Sequence, residues 1–591
     1  MTTMLTEELS RIVGNAFAAC GHDASFGKTA LSNRPDLGQF QCNGAMSAAR
    51  QCGAVPFEVA EKVAARLLEQ PEAQGVFSAV SVVKPGFVNL SLTGEYLAAC
   101  LEAMRRHGRH GVDEAVKPQT VVLDYGGPNV AKPLHVGHLR SAVIGESVKR
   151  VARFLGHKVI ADAHLGDWGL QIGLVLMETK RRKPNLSYFA ETFMGEYPTE
   201  APFTLEELED IYPAASARAK EDETFREEAR KATLDLQSGR RGYRALWQHI
   251  MAVSVADLRK NYARLGVSFD LWEGESNAQE LIAPMLAALE ARGLARESEG
   301  ALVVDIALEG DAKELPPCIV RKSDGGALYQ TTDIATIVDR MQRFEPDRIM
   351  YVVDKRQELH FTQVFRTARK AGFVREETDL VFLGFGTMNG RDGKPFKTRE
   401  GGVIRLETLL DMVADAARPR LEGRDDIDAA SVAESVALAA IKFGDLSNQP
   451  SKDYVFDIER FTAFEGKTGP YIQYSMVRIK SIIRKVTQRY GNVPEAVHIA
   501  PPASAGETGL VLKLCGFNEI VHSVYAQNSP QWLCQFAYEV CELFNRFYNE
   551  RNILNEPDAE RRRADVALLL QTLAVLETCA NLLGFTAPER M

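Results

Sequence analysis

The chain lacks any uninterrupted apolar run of membrane-spanning length, and its first residues, MTTMLTEELSRIVGNAF, carry Glu7 and Glu8 where a signal or transit peptide would be basic. A cytoplasmic protein with no membrane partner is expected. The nine cysteines are odd in number and scattered, with no CxxC pair, so neither a disulfide framework nor a zinc site is indicated, and reduced thiols are expected. Positive charge is not in excess either. Seventy Lys and Arg face 79 Asp and Glu, a formal net charge of −9, so any nucleic-acid surface must be a local patch. No internal repeat is visible. What is present is 591 residues, 45% of them hydrophobic, enough for sizeable buried cores and about four domains' worth of chain.

Residues 1–113 alternate helical stretches such as Val59–Leu68 with β-rich pieces such as VSVVKPGFVNLSL, Val80–Leu92, and read as an N-terminal α+β domain. The basic, Gly-containing piece Met104–Gln119 reads as a linker. From 120 to 406, strands at Val121–Tyr125, Lys158–Ala161, Arg348–Val353 and Leu380–Leu383 alternate with helical patterns. That order predicts an α/β domain with a doubly wound, Rossmann-like parallel sheet, whose ligands sit beyond the strands' C-terminal ends. The charged, helix-prone stretch 183–237 reads as an insertion, with Tyr212-Pro213 marking a turn. From 407 to 591 β signals almost vanish, and Leu533, Phe536, Val540, Leu543, Phe544 and Phe547 recur at helical spacing, which predicts an all-α helical bundle.

The segment DYGGPNVAKPLHVGHLRSAVIGES, Asp124–Ser147, reads as a strand, a Gly/Pro turn and a helix opening near His135. His135 and His138, three apart at a helix start, can face one ligand beside free backbone N–H groups and the positive end of the helix dipole, where an ATP phosphate fits. Gly137, without a Cβ, lets an adenine or ribose approach the backbone. The competing readings are a His pair that only caps the helix, or a zinc site, which lacks a suitably spaced third ligand. Far downstream, GRDGKPFKTREGG, Gly390–Gly402, is a Gly-rich basic loop after a predicted strand. There Lys394 and Lys397 can follow charge developing on departing pyrophosphate.

HVGH with a distant KPFKT resembles the paired HIGH and KMSKS signatures of class I aminoacyl-tRNA synthetases, although KPFKT departs at its second, third and fifth positions. Within that class, PNVAKPLHVGHLRSAVIGES, HLGDWGLQIG (His164–Gly173) and the C-terminal ERM resemble the bacterial type of arginyl-tRNA synthetase, so the resemblance spans nearly the whole chain. It implies that His135 and His138 contact the ATP phosphates and that Lys394 and Lys397 steady the triphosphate, with Mg²⁺ accompanying it and no dedicated carboxylate cage. It assigns the substrate guanidinium to Tyr329 and Asp333, four apart on one predicted helical face in RKSDGGALYQTTDIAT, with Glu275 of FDLWEGES as a second carboxylate. Asn129 and Gln357 would hold the α-amino and carboxylate groups. A guanidinium, always charged and fork-shaped, needs at least one such carboxylate. Gly126-Gly127 stands where many family members carry small hydroxyl residues.

The same resemblance gives the N-terminal domain to the tRNA elbow, through Phe40 and Gln41, and the C-terminal domain to the anticodon. There Tyr471, Tyr474 and Arg478 interleave aromatic and basic side chains able to stack on bases and meet phosphates. The implied partners are arginine, ATP and tRNA(Arg), activation is expected to require bound tRNA, and a monomer is expected. Rival readings are a cysteinyl or glutaminyl enzyme of the same class, a compact adenylyl- or cytidylyltransferase, and a tRNA-binding protein without catalysis. The absent zinc ligands, the two flanking domains and the intact His and Lys pairs count against them in turn.

Overall fold

The computed structural model describes residues 4–323, 325–394, 396, 404–421, 428–491 and 498–591. At the N-terminus, an antiparallel sheet runs in the spatial order Thr29–Leu31, Phe40–Cys42, Phe87–Leu92, Phe77–Val83. Helices Leu5–Ala19, Gly44–Cys52, Pro56–Glu69 and Gly94–Arg106 accompany it. The period-2 pleat decides what Phe40–Cys42 can touch: Phe40 and Cys42 point into the core and Gln41 points out. Phe40 is 1% exposed, so it offers no side-chain surface to RNA, against the expectation from sequence.

The central sheet is parallel. Strand β1 (Thr120–Tyr125) is followed by helix α1 (Val136–Phe154) and β2 (Lys158–Asp162). Then, after the insertion, come α2 (Tyr329–Phe344), β3 (Arg348–Asp354), α3 (Glu358–Lys370) and β4 (Asp379–Phe385). The spatial order is β4-β3-β1-β2. Runs such as Val121–Leu123 and Ile349–Val352 are buried, as a parallel sheet requires. The chain leaves β1 toward β2 on one side and returns to β3 on the other, so a crevice opens beyond the C-terminal ends of β1 and β3.

The insertion contains helices Leu205–Glu221 and Glu223–Gln237, both on helix Leu170–Arg182. Tyr212-Pro213 is not a turn. Pro213 lies inside the first helix, which a Thr204/Glu207 capping box starts and whose Leu208, Ile211, Ala215 and Ala219 bury one face; that packing carries the helix past the missing N–H.

Beyond Leu406 the elements among the described residues are helices apart from the strand Tyr454–Val455, which pairs in parallel with Met388–Asn389. The elements used below are α4 (Ala429–Leu446), α5 (Gly469–Tyr490) and α6 (Ala559–Leu583); between the last two, helix Gln531–Glu550 buries Leu533, Phe536, Val540, Phe544 and Phe547. By length and composition α6 is long and apolar enough to cross a membrane, contrary to expectation, yet 67% of its most apolar window is buried inside the protein. Its C-terminal carbonyls explain its seat. Leu582 O accepts from Ser147 Oγ (3.0 Å), Asn581 O from Arg150 (3.0 Å) and Gly584 O from Lys442 Nζ (2.5 Å), so two basic side chains and a hydroxyl satisfy the carbonyls at the end of the helix.

Candidate active site

A cleft of about 890 Å³ lies at the switch point, lined by the ends of β1, β3 and β4 and the start of α1. It collects His135, Gly137, His138, Asn129, Glu275, Tyr329, Asp333 and Gln357, which come from segments spread over more than 200 residues. Lys394 is exposed at a turn closed by Gly390 N–H to Lys394 O (2.8 Å) and is not among the lining residues; Lys397 lies outside the described residues.

The two histidines do cap the helix, and the caps orient them. His135 is the N-cap of α1, its Nδ1 accepting from Gly137 N–H (3.0 Å), while His138 Nδ1 accepts from His135 N–H (3.2 Å); the ring centroids are 4.0 Å apart. Burial, then the neighbouring His135 and Lys132, pulls His138 down to about 3, and burial and Lys132 lower His135 as well. Both rings are therefore neutral near pH 7, and with Nδ1 accepting, the proton of each sits on Nε2. Each presents an Nε2–H donor, suited to an anionic oxygen. A Cβ on Gly137 would lie 2.8 Å from the His135 ring, so glycine here leaves room for that ring as well as for a ligand.

On the opposite wall, Tyr329 opens α2 and Asp333 follows one turn later; Tyr329 is 57% exposed. Asp333 Oδ2 pairs with His360 Nε2 at 2.5 Å, from the first turn of α3. Glu275 reaches the same pocket, its N–H bonded to Leu165 O (3.1 Å) and the next residue, Ser276, held by buried Asp167 through N–H (3.0 Å) and hydroxyl (2.6 Å). Burial, then the charges of Asp333 and Asp167, pushes the Glu275 carboxyl up to about 8. Carboxyl groups are thus crowded on this wall of the cleft.

Asn129 Oδ1 accepts from Gln171 Nε2 (3.1 Å), leaving Nδ2 as its donor end, and Gln357 stands exposed on the rim. The Gly126-Gly127 pair is dictated by the backbone. Gly126 has φ +64°, and a Cβ on Gly127 would fall 1.9 Å from His164 O, so no side chain fits as the chain now runs.

Under the pocket, Arg340 of α2 places Nη2 2.7 Å from Asp124 Oδ2 and 2.8 Å from Asp162 Oδ2. His164 Nδ1 lies 3.3 Å from Asp162. Burial opposes the His164 charge, but the Asp162 hydrogen bond and the carboxylates outweigh burial and Arg340, holding it at about 9. Asp124, Asp162 and His164 are the one cluster among the described residues with metal-ligand spacing, and the guanidinium already takes the cation's place between the carboxylates. All nine cysteines are unpaired. Sequence reasoning assigned no role to His360, Gln171 or Arg340. His360 alone left a signal, three positions after Gln357 at a helix start.

Residues 3–92, 101–458 and 472–591 match, in turn, the sequence models of the arginyl tRNA synthetase N terminal domain, the class I (R) tRNA synthetase catalytic domain and the DALR anticodon binding domain. The chain is 52% identical, over the full length of both, to an arginine–tRNA ligase of Agathobacter rectalis, and 51% to one of Alkaliphilus oremlandii. It belongs to the arginyl-tRNA synthetase family. The arginyl-tRNA synthetase structures of Thermus thermophilus (24% identity) and Plasmodium falciparum (23%) each superpose over all of both chains with a TM-score of 0.80, so the arrangement of elements is that of an arginyl-tRNA synthetase fold.

On the RNA-facing expectations, Gln41 Nε2 bonds to Asn89 Oδ1 (2.8 Å), and Tyr471 and Arg478 of α5 share Asn545, at 2.8 and 3.0 Å. Tyr474, 44% exposed, is the most open of the α5 group.

Proposed function

We propose that the chain is an arginine–tRNA ligase: it activates L-arginine with ATP, releasing pyrophosphate, and transfers the arginyl group from the adenylate to the 3′-terminal adenosine of tRNA(Arg), releasing AMP. The observation that carries this reading is the convergence of Glu275 and Asp333 in the same cleft as the paired neutral histidines, at a charge cost that a guanidinium would remove. In the first step an arginine carboxylate oxygen attacks the α-phosphorus and the bond to the β-phosphate's bridging oxygen breaks. His135 and His138 donate from Nε2 to phosphate oxygens, while Lys394 and Lys397 meet the charge on leaving pyrophosphate. Asn129 and Gln357 hold the α-amino and carboxylate groups, Tyr329 packs beside the guanidinium, and Mg²⁺ arrives with the triphosphate. In the second step a ribose hydroxyl of the terminal adenosine attacks the acyl carbon. Gln41 on the N-terminal domain and Tyr471, Tyr474 and Arg478 on the C-terminal one contact tRNA. The enzyme acts as a cytoplasmic monomer.

Pyrophosphate exchange with each standard amino acid, with and without tRNA, tests this. Exchange with arginine alone and only with tRNA is expected; exchange with another amino acid would overturn the pocket, and brisk exchange without tRNA would overturn the order. In His138→Ala the exchange rate should drop about 10²-fold with tRNA affinity unchanged, since one preorganised donor is lost; unaltered turnover would remove the histidines from the ATP site.

The pocket also predicts a pH dependence. Glu275 is protonated in the empty pocket below about 8 and must ionise to pair with a guanidinium. Arginine binding therefore releases up to one proton at neutral pH, and affinity rises by up to about tenfold per pH unit from pH 6 before levelling above pH 8. Calorimetry in buffers of different ionisation enthalpy measures the proton; Glu275→Gln should abolish the release and flatten the slope. A wild-type affinity independent of pH between 6 and 9 would contradict the assignment.

A further inference from the structure

Arg140 lies on α1 one turn and a half beyond His135, is 1% exposed at the floor of the cleft, and binds three separate segments at once. Its Nε meets Asp445 Oδ2 (3.0 Å) at the end of α4; its Nη1 donates to Gly386 O (2.8 Å), immediately after β4, and to Lys452 O (2.9 Å). Its guanidinium also stacks over the Tyr454 ring at 5.0 Å. Gly386 is where the chain turns from the sheet toward Lys394. Its N–H is bonded to Pro450 O (2.9 Å), and a Cβ there would lie 2.5 Å from Asp453 Oδ1, so the Lys394 segment and the segment after α4 are in backbone contact.

The far side of the same loop is fastened to the same helix. Val136 N–H donates to Ile404 O and Leu406 N–H to Leu134 O, each 3.0 Å. Gly386 on one side and Ile404 and Leu406 on the other are therefore fastened at the start of α1, beside His135 and His138. At the departing end Arg140 is the side chain that reaches both Gly386 O and α4. Helix α4 in turn packs on α5, where Gln473 Nε2 donates to Ser435 O (3.1 Å).

We propose that Arg140 is a positioning residue for amino-acid activation. It sets where the Lys394 loop starts relative to the histidine pair, and through Asp445 it ties that position to α4 and the C-terminal helical domain, so that RNA seated on α5 is felt at the loop. This rests on the ligase reading above. A fork of donors is required, because a single ammonium cannot reach Asp445, Gly386 O and Lys452 O together.

The test is Arg140→Lys and, separately, Asp445→Asn, in pyrophosphate exchange with saturating tRNA. In Arg140→Lys a turnover lower by about 10²-fold is expected, the scale of a misplaced reacting group, with a raised KM for ATP. The KM for arginine and the tRNA Kd should stay within about twofold of wild type. Asp445→Asn should show the same split in milder form, and it decides the matter if Arg140→Lys does not fold. Wild-type turnover in both variants, equal losses in arginine and ATP steps, or a loss no larger than the unfolded fraction seen in thermal melts would overturn the proposal. If the wild-type enzyme fails to exchange pyrophosphate with arginine, the ligase reading fails instead.

Discussion

Asp333→Asn should lower kcat/KM for arginine by about 10³-fold while leaving the KM for ATP near its wild-type value. The substrate guanidinium is charged at every pH the enzyme meets, so a pocket that takes it out of water has to supply opposite charge in bidentate geometry. Among the described residues lining the cleft, Asp124 and Asp354 are already paired with Arg340 and Arg356, which leaves Glu275 and Asp333. Glu275 is protonated near pH 7 in the empty pocket, and it ionises when the cation enters; Asp333 sits on the regular face of α2, fixed by His360 Nε2 at 2.5 Å. Truncating one partner of a buried, hydrogen-bonded charge pair costs 2–5 kcal/mol or more, and about 4 kcal/mol corresponds to the stated factor. Asparagine keeps an acceptor for His360 and nearly the same volume, so the pocket keeps its shape and the change isolates charge. A comparison with citrulline, which has the shape of arginine without its charge, sharpens the result. The preference of the wild type for arginine should shrink by the same factor in the variant. A fall shared equally between ATP and arginine would point to a collapsed cleft and against the pairing.

How far the sequence reveals this site depends on whether a contact is local. Tyr329 and Asp333 are legible because a spacing of four on one helix is a local property, and the helix Tyr329–Phe344 places both on the cleft. The four parallel strands are legible because their apolar runs are short, continuous and separated by helical patterns. Arg340 is not, since its partners lie 216 and 178 positions away on β1 and β2 and only the finished sheet brings them together. The protonation of Glu275 is hidden for the same reason, being set by burial and then by Asp333 and Asp167 across the fold. Phe40 misleads differently. The family resemblance names it with Gln41 as a tRNA contact, but in a strand of alternating faces Phe40 is the core residue and Gln41 is the outward one. Pro213 marks a turn only when no neighbouring helix offers burial, and helix Leu170–Arg182 offers it.

The same long-range assembly makes Arg340 the side chain whose loss should most destabilise the catalytic domain. Asp124 and Asp162 are register partners on adjacent parallel strands, so their carboxylates are held side by side by the sheet, and the Arg340 Nη2 that bridges them is what makes the pairing tolerable. Arg340→Met preserves most of the volume beside Tyr351, whose ring the guanidinium overlies at 5.3 Å, and removes the charge. Breaking a buried pair by deleting one partner costs about 3–5 kcal/mol, and here two carboxylates are left with only His164 beside them. The deficit should depend on pH in a direction that lost packing cannot mimic. In the wild type, His164 and Arg340 overcome burial and hold Asp162 below the ordinary carboxylate range, so its contribution is present above the unfolded-state value and is lost only in strong acid. Burial already raises Asp124 above its unfolded value in the wild type, with Arg340 opposing that rise; in the variant the opposition is gone and Asp124 rises further, so the variant's native state takes up a proton more readily and gains more stability as pH falls than the wild type does. Denaturant unfolding at pH 7.5 and pH 5.5 should therefore show the gap between variant and wild type narrowing at the lower pH, and Asp124→Asn added to Arg340→Met should recover part of the loss at pH 7.5. A gap equal at both pH values and untouched by the second substitution would mean that Arg340 contributes shape to this core and not charge.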